Sequence, residues 1–146
     1  MATPPTVPYL QPDSLLGLLR DEQAPVVVVD VRDDDHAGGH IAGAIWLASR
    51  DFDAGMTSLA RELVQRAADA GASDMNPLPV VVHCQFSQVR GPSCARALAA
   101  HPDIAACPTV QIAILKGGYS YFSRRYAPTD PDLFADDETD DDSCSA

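Results

Sequence analysis

One stretch carries residue types and a spacing that could do covalent chemistry: His83-Cys84-Gln85-Phe86-Ser87-Gln88-Val89-Arg90-Gly91-Pro92. It sets a cysteine after a run of valines, then five residues, then an arginine and a proline-marked helix start. A loop of this length, curled into a cradle, can aim several backbone N–H groups at one point above the sulfur. The N-terminal end of the following helix adds its partial positive charge there. The same field favours the thiolate, the reactive form of cysteine. Arg90 can hold two oxygens of a tetrahedral anion through its planar fork, a geometry that lysine lacks. The expected site therefore has Cys84 as nucleophile and Arg90 as clamp. The amides of Gln85, Phe86, Ser87, Gln88, Val89, Arg90 and Gly91 surround the anion. A cysteine at a strand end is also a common small core residue, and Cys-x5-Arg by itself arises by chance. The buried strand before it and the helix after it give the spacing its meaning.

The flanking elements follow from periodicity. Residues 11–22 carry Leu15, Leu16, Leu18 and Leu19 as an apolar stripe, with Asp13 as the expected cap and Pro25 as the stop. Val26-Val27-Val28-Val29 reads as a strand covered on both faces, ending where charge returns at Asp30-Val31-Arg32. A glycine-rich connector leads to a short strand over 44–48. Residues 54–70 repeat apolar side chains at helical spacing, with Gly71 as the stop. Residues 79–83 form the strand that runs into Cys84. A helix over 91–100 has Pro92 in its first turn, a strand follows over 109–115, and a short aromatic helix over 119–126 comes after Gly117-Gly118. Alternating strands and helices imply parallel pairing in a doubly wound α/β domain, in which ligands sit at the carboxyl ends of the strands.

Composition bounds the function. The chain has 146 residues and a formal charge of −11, which argues against a nucleic-acid-binding face. Eight acids and no base lie in 127–146, so that segment is expected to be a solvated acidic tail and the folded part to end at 126. No apolar run is long enough for a membrane span, and residues 1–9 lack the basic start and apolar stretch of a signal peptide. The cysteines (Cys84, Cys94, Cys107, Cys144) contain no CxxC pair, so free thiols in a reducing compartment, cytoplasmic or nuclear, and no metal site are expected. Cys94 either resolves an oxidised Cys84 or packs its helix onto the sheet. Cys107 reads as structural, and Cys144 is a second candidate resolving thiol whose acidic neighbours would slow it. His83 fixes the loop or moves a proton. Ser87 donates to the site or shapes the loop. Asp30 and Arg32 pair or brace it, and His40 reads as a turn residue. Tyr119, Tyr121, Phe122 and Tyr126 flank the pocket or fill the core. Arg124 and Arg125 attract carboxylates or form a solvated face.

His-Cys-x5-Arg-Gly-Pro, with Val29-Asp30-Val31-Arg32 and the Gly39-His40-Ile41-Ala42-Gly43-Ala44 run, resembles the rhodanese fold. Within it, the chain resembles the branch that holds mitotic dual-specificity phosphatases and eukaryotic arsenate reductases. The run from Cys84 to Arg96 is most similar to plant-type arsenate reductases. The resemblance implies a rhodanese-like domain over 1–126, with a mostly parallel sheet of about five strands flanked by helices. It implies an arsenate reductase: arsenate enters as phosphate would, Cys84 attacks arsenic, and glutathione serves as co-substrate with no bound cofactor. Glutaredoxin is then the protein partner, and antimonate reduction and weak phosphatase activity are side reactions. Two departures point away from the phosphatases: Val89 stands where they place a glutamate, a candidate proton donor, and Val31 where they carry a protective second cysteine. A tyrosine or dual-specificity phosphatase is the first alternative. Thiosulfate sulfurtransferases of the fold have a loop one residue shorter, which leaves sulfur transfer, or a non-enzymatic oxyanion-binding module, as the second.

Overall fold

The computed structural model describes residues 7–33, 39–86 and 88–135. Its elements run β1 (Tyr9–Leu10), α1 (Pro12–Arg20), β2 (Val27–Asp30), β3 (His40–Ile41), β4 (Ile45–Trp46), α2 (Phe52–Asp69), β5 (Leu78–His83), α3 (Arg90–Ala100), α4 (Pro102–Ala105), β6 (Val110–Leu115), α5 (Gly118–Tyr126) and β7 (Phe134–Ala135). Five strands make one parallel sheet in the order β1-β6-β5-β2-β4. From β2 the chain winds outward to β4, and from β5 it winds the opposite way to β6. The crevice beside β5 is therefore the switch point at which such sheets bind ligands.

Both faces of the sheet are covered, which is why its central strands read as unbroken valine runs. Alternate residues point to opposite layers. Val27, Val29, Val80 and Val82 pack with Leu59 and Leu63 of α2 and Leu98 of α3. Val28 and Val81 pack with Leu15 of α1 and Phe122 and Tyr126 of α5. The α/β architecture expected from the sequence, a parallel sheet of five strands flanked by helices, is the one observed.

Two expectations are corrected. Helix α1 begins at Pro12 after Gln11, so Asp13 lies in the first turn and is not the cap. The proline occupies a position where its missing N–H costs nothing. The folded part does not stop at 126. Residues 131–133 form a 3-10 turn, and β7 pairs antiparallel with β3, setting Phe134 opposite Ile41. The apolar side chain of Phe134 outweighs the surrounding charge, and the acidic segment folds back as far as Ala135. Residues 136–146, with Cys144, lie outside the described residues.

Candidate active site

The loop from Cys84 to Val89 leaves the carboxyl end of β5 and enters α3 at Arg90. Cys84 is reduced and 3% exposed, so its sulfur is recessed at the loop's base. The Gly91 N–H, in the first turn of α3, donates to Cys84 Sγ at 3.1 Å. A helix N-terminus thus points at the sulfur, as the spacing requires.

The back of the loop is held by the start of α5. Tyr119 N–H donates to the Cys84 carbonyl at 3.0 Å and Ser120 N–H to the Gln85 carbonyl at 2.8 Å. In a planar trans peptide the C=O and the next N–H point opposite ways. Carbonyls drawn to α5 therefore turn the Gln85 and Phe86 amides away from it, into the loop. Gly118 permits the contact: it has φ +66, and a Cβ there would lie 2.6 Å from the Gln85 oxygen.

Beneath the loop, Arg32 is buried in a cage. Its guanidinium donates to both Asp30 oxygens (2.8–3.1 Å) and to the Gly39 carbonyl at 2.8 Å. It reaches Gln85 Oε1 at 3.4 Å and lies 3.9 Å from the centroid of the Tyr119 ring. Burial pushes the Asp30 carboxyl up, but the Arg32 hydrogen bonds and the nearby His83 and Arg32 charges outweigh it, and the net shift is down. His83, fully buried, turns Nδ1 to the Cys84 carbonyl at 3.1 Å. Arg32 thus links Asp30 to the loop residue Gln85, and His83 turns a ring nitrogen to a backbone oxygen of the loop.

Arg90 is aimed by a residue that sequence reasoning did not single out. Its Nη1 donates to Asp33 Oδ2 at 3.3 Å, and Asp33 also accepts from Ser49 Oγ at 2.5 Å and from the Arg50 N–H at 3.0 Å. Burial pushes the Asp33 carboxyl up, whereas Ser49, Arg50 and Arg90 pull it down, and the pull prevails. Asp33 opens a run of three aspartates, and nothing in the run distinguishes it before the chain folds.

Val89 precedes α3 and is 75% exposed at the rim, as is half-exposed Phe86. Gln88 is exposed, and Ser87 lies outside the described residues. Cys94 faces the core from α3, and burial, with the Cys84 charge second, pushes its thiol up to about 11. It is protonated at neutral pH, which suits its packing reading better than attack on an oxidised Cys84. Cys107 Sγ lies 3.0 Å from Thr109 Oγ1, away from the loop. His40 is the first residue of β3. Among the described residues no cluster of ligating side chains could hold a metal ion, and no helix is long and apolar enough to cross a membrane.

The model of the rhodanese-like domain matches residues 11–125. The chain belongs to the rhodanese-like domain family. Among its rhodanese-like relatives, the dual specificity phosphatase ibp1 of Schizosaccharomyces pombe is 30% identical over 139 residues, covering 83% of this chain and 91% of that protein. Arsenate reductase 2.1 of Oryza sativa subsp. japonica is 37% identical over 92 residues, covering 62% of this chain and 50% of its own length. Among solved structures, Ygr203w, a yeast protein tyrosine phosphatase of the rhodanese family, superposes with TM-score 0.77 at 29% identity, covering 92% of this chain and 94% of that one. The As-Sb reductase from Leishmania major superposes with TM-score 0.64 at 25% identity, covering 88% and 85%. The relatives support an enzyme of the rhodanese family with oxyanion-related cysteine chemistry.

Proposed function

We propose that this protein is an arsenate reductase, with Cys84 the nucleophile, Arg90 the clamp and the loop amides of 85–91 the oxyanion cradle. The observation that carries this choice is the ion pairing, among the described residues, of the carboxyls tied to the loop: Asp33 with Arg90 at 3.3 Å and Asp30 with Arg32 at 2.8 Å. Hydrolysis of a phosphate ester gains typically 10²–10⁴-fold from an acid that protonates the leaving oxygen. The loop's own candidate position holds Val89, and the carboxyls tied to Arg90 and Arg32, Asp33 and Asp30, are both held down as carboxylates. Arsenate carries its own protons on the oxygen that leaves.

In this scheme the Cys84 thiolate attacks arsenic and a water departs, leaving an S–As(V) bond. Cys84 Sγ is recessed, so an external thiol approaches from the solvent side and meets arsenic, not the cysteine sulfur. A glutathione thiol replaces a second hydroxyl on arsenic, releasing water. A further thiol, from glutaredoxin, attacks the outer glutathione sulfur. That S–As bond breaks with its electron pair going to arsenic, which becomes As(III), while the two attacking thiols leave as a disulfide. Water then displaces Cys84 and arsenite departs. Overall, two thiols become one disulfide and arsenate becomes arsenite and water.

The test is side-by-side turnover of arsenate, antimonate, an aryl phosphate and thiosulfate. Arsenate with glutathione and glutaredoxin is expected to be the best substrate, antimonate to be accepted, and the aryl phosphate to be turned over weakly. Cys84→Ser is expected to abolish all of it. Faster turnover of the aryl phosphate would move the assignment to a phosphatase, and unchanged arsenate turnover in the serine variant would remove Cys84 from its role.

A further inference from the structure

A trough of about 610 Å³ opens beside the cradle, on the side of β6 and β1. Sheet register explains its place. Tyr9 and Leu10 of β1 pair with Ile114 and Leu115 of β6, so the ends of both strands lie next to the loop that follows β5. Its walls include the rings of Tyr9, Phe86 and Tyr121, each about half exposed, together with Gln88 and Lys116. Phe86 and Gln88 belong to the cradle itself, so the trough and the site above Cys84 share a wall.

The charge pattern of this wall is unlike that of the rest of the chain. The sequence has 21 acids and a single lysine, Lys116. That lysine lines the trough, and among the described residues no acid does. Its amine forms no ion pair among the described residues, and only its backbone N–H is engaged, with the Leu10 carbonyl at 3.0 Å. Arg124 and Arg125, the sequence's other candidates for carboxylate capture, line no part of it. Arg124 donates to the Ser120 carbonyl at 3.1 Å, and Arg125 sits 5.2 Å from the Tyr126 ring centroid.

We propose that this trough is the binding subsite for the reducing thiol peptide, glutathione, with Lys116 holding a carboxylate and the three rings flanking its backbone. The inference rests on the arsenate-reductase reading, because that chemistry brings an anionic thiol to arsenic from the solvent side. An aryl phosphate would have its only charge in the cradle and would gain little from a cation in the trough beside it. Glutathione has a thiol at its centre and carboxylates at its ends, which matches a trough that shares Phe86 and Gln88 with the cradle and has Lys116 as its cation among the described residues. The electrostatic attraction of Lys116 acts on the second substrate and leaves arsenate to the cradle.

Two measurements decide it. In steady-state arsenate reduction, Lys116→Glu is expected to raise the KM for glutathione about tenfold, and Lys116→Arg by no more than about threefold, as for a charge contact at a binding rim. Dithiothreitol has no carboxylate, and its KM should not show the rise. In a titration of isotope-labelled full-length Cys84→Ser protein with S-methylglutathione, amide shifts should centre on Phe86, Gln88, Lys116, Gly117 and Tyr121, and should vanish in the added Lys116→Glu background. An unchanged glutathione KM, in an enzyme that does reduce arsenate, overturns the trough and leaves the proposed function standing. Shifts confined to Arg124 and Arg125 overturn it likewise. If neither thiol supports arsenate reduction, the proposed function falls and the titration alone decides whether the trough binds the peptide.

Discussion

Arg32 is 2% exposed, and a permanently charged guanidinium can be buried so only if its donors and charge are matched. Asp30 supplies the charge, while Gly39 and Gln85 take further donors, so a pair under the sheet's carboxyl end is wired to the loop. Removing one partner of a buried pair leaves the other uncompensated. Asp30→Asn is therefore expected to lower unfolding stability by about 3–5 kcal/mol in urea titrations near neutral pH. The pH dependence follows in sign. The folded Asp30 carboxyl sits below its ordinary value, so its contribution is complete above that value and is lost as pH falls through the depressed one. The gap between wild type and variant should stay level from about pH 8 to 5 and narrow below about pH 4. A gap that widens on acidification would sink this account. At this scale the cradle was readable because Cys84, Arg90 and Pro92 are neighbours in sequence. Asp33 and Lys116 were not, since each acquires its place only when distant elements meet.

The N-terminus of α5 holds the back of the loop through two amides that reach the Cys84 and Gln85 carbonyls, the first of which also faces His83 Nδ1. The approach is so close that Gly118 must lack a Cβ. Its left-handed backbone alone would cost a side chain on the order of 1 kcal/mol, and Gly43, at φ +82 with nothing within 4 Å, provides a control for that strain. Gly43→Ala is expected to lose a little thermal stability and keep its turnover. Gly118→Ala adds a clash with backbone at 2.6 Å, which must displace the loop, and a misplacement of this kind costs on the order of 10²-fold in turnover. Equal turnover in the two variants would show that α5 does not shape the cradle. The long elements were legible because burial of both sheet faces leaves valine runs and helical stripes. The two-residue strands β1, β3 and β7 are shorter than any period, and only pairing defines them.

The whole domain is closed by a segment whose charge disguised it. After α5, the Ala42 N–H donates to the Leu133 carbonyl at 2.8 Å, and the Phe134 ring lies 5.7 Å from that of Phe122 and 6.1 Å from that of Tyr119. Arg20, at the end of α1, forms ion pairs with Asp130 and Asp132 and holds both carboxyls below their usual range through its hydrogen bonds. Phe122 is fully buried and Tyr119 stacks against both Arg32 and His83, so stripping this cover would open the layer that supports the loop. Net charge in 127–146 averages over two unlike parts: one with Leu133 and Phe134 as apolar anchors, and one, 136–146, with six acids and no large apolar residue. Two truncations separate them. Ending the chain after residue 126 removes Phe134 and uncovers Phe122, and is expected to lower the melting temperature by on the order of 10 °C, the size of a lost, partly buried aromatic contact with its neighbours. Ending it after residue 135 removes none of the contacts described above and should shift melting by no more than about 2 °C, since 136–146 has no large apolar residue to add to a core. Differential scanning calorimetry of the pair gives the comparison. If both truncations melt with the full chain, Phe134 is no part of the core, and the domain ends at α5 after all.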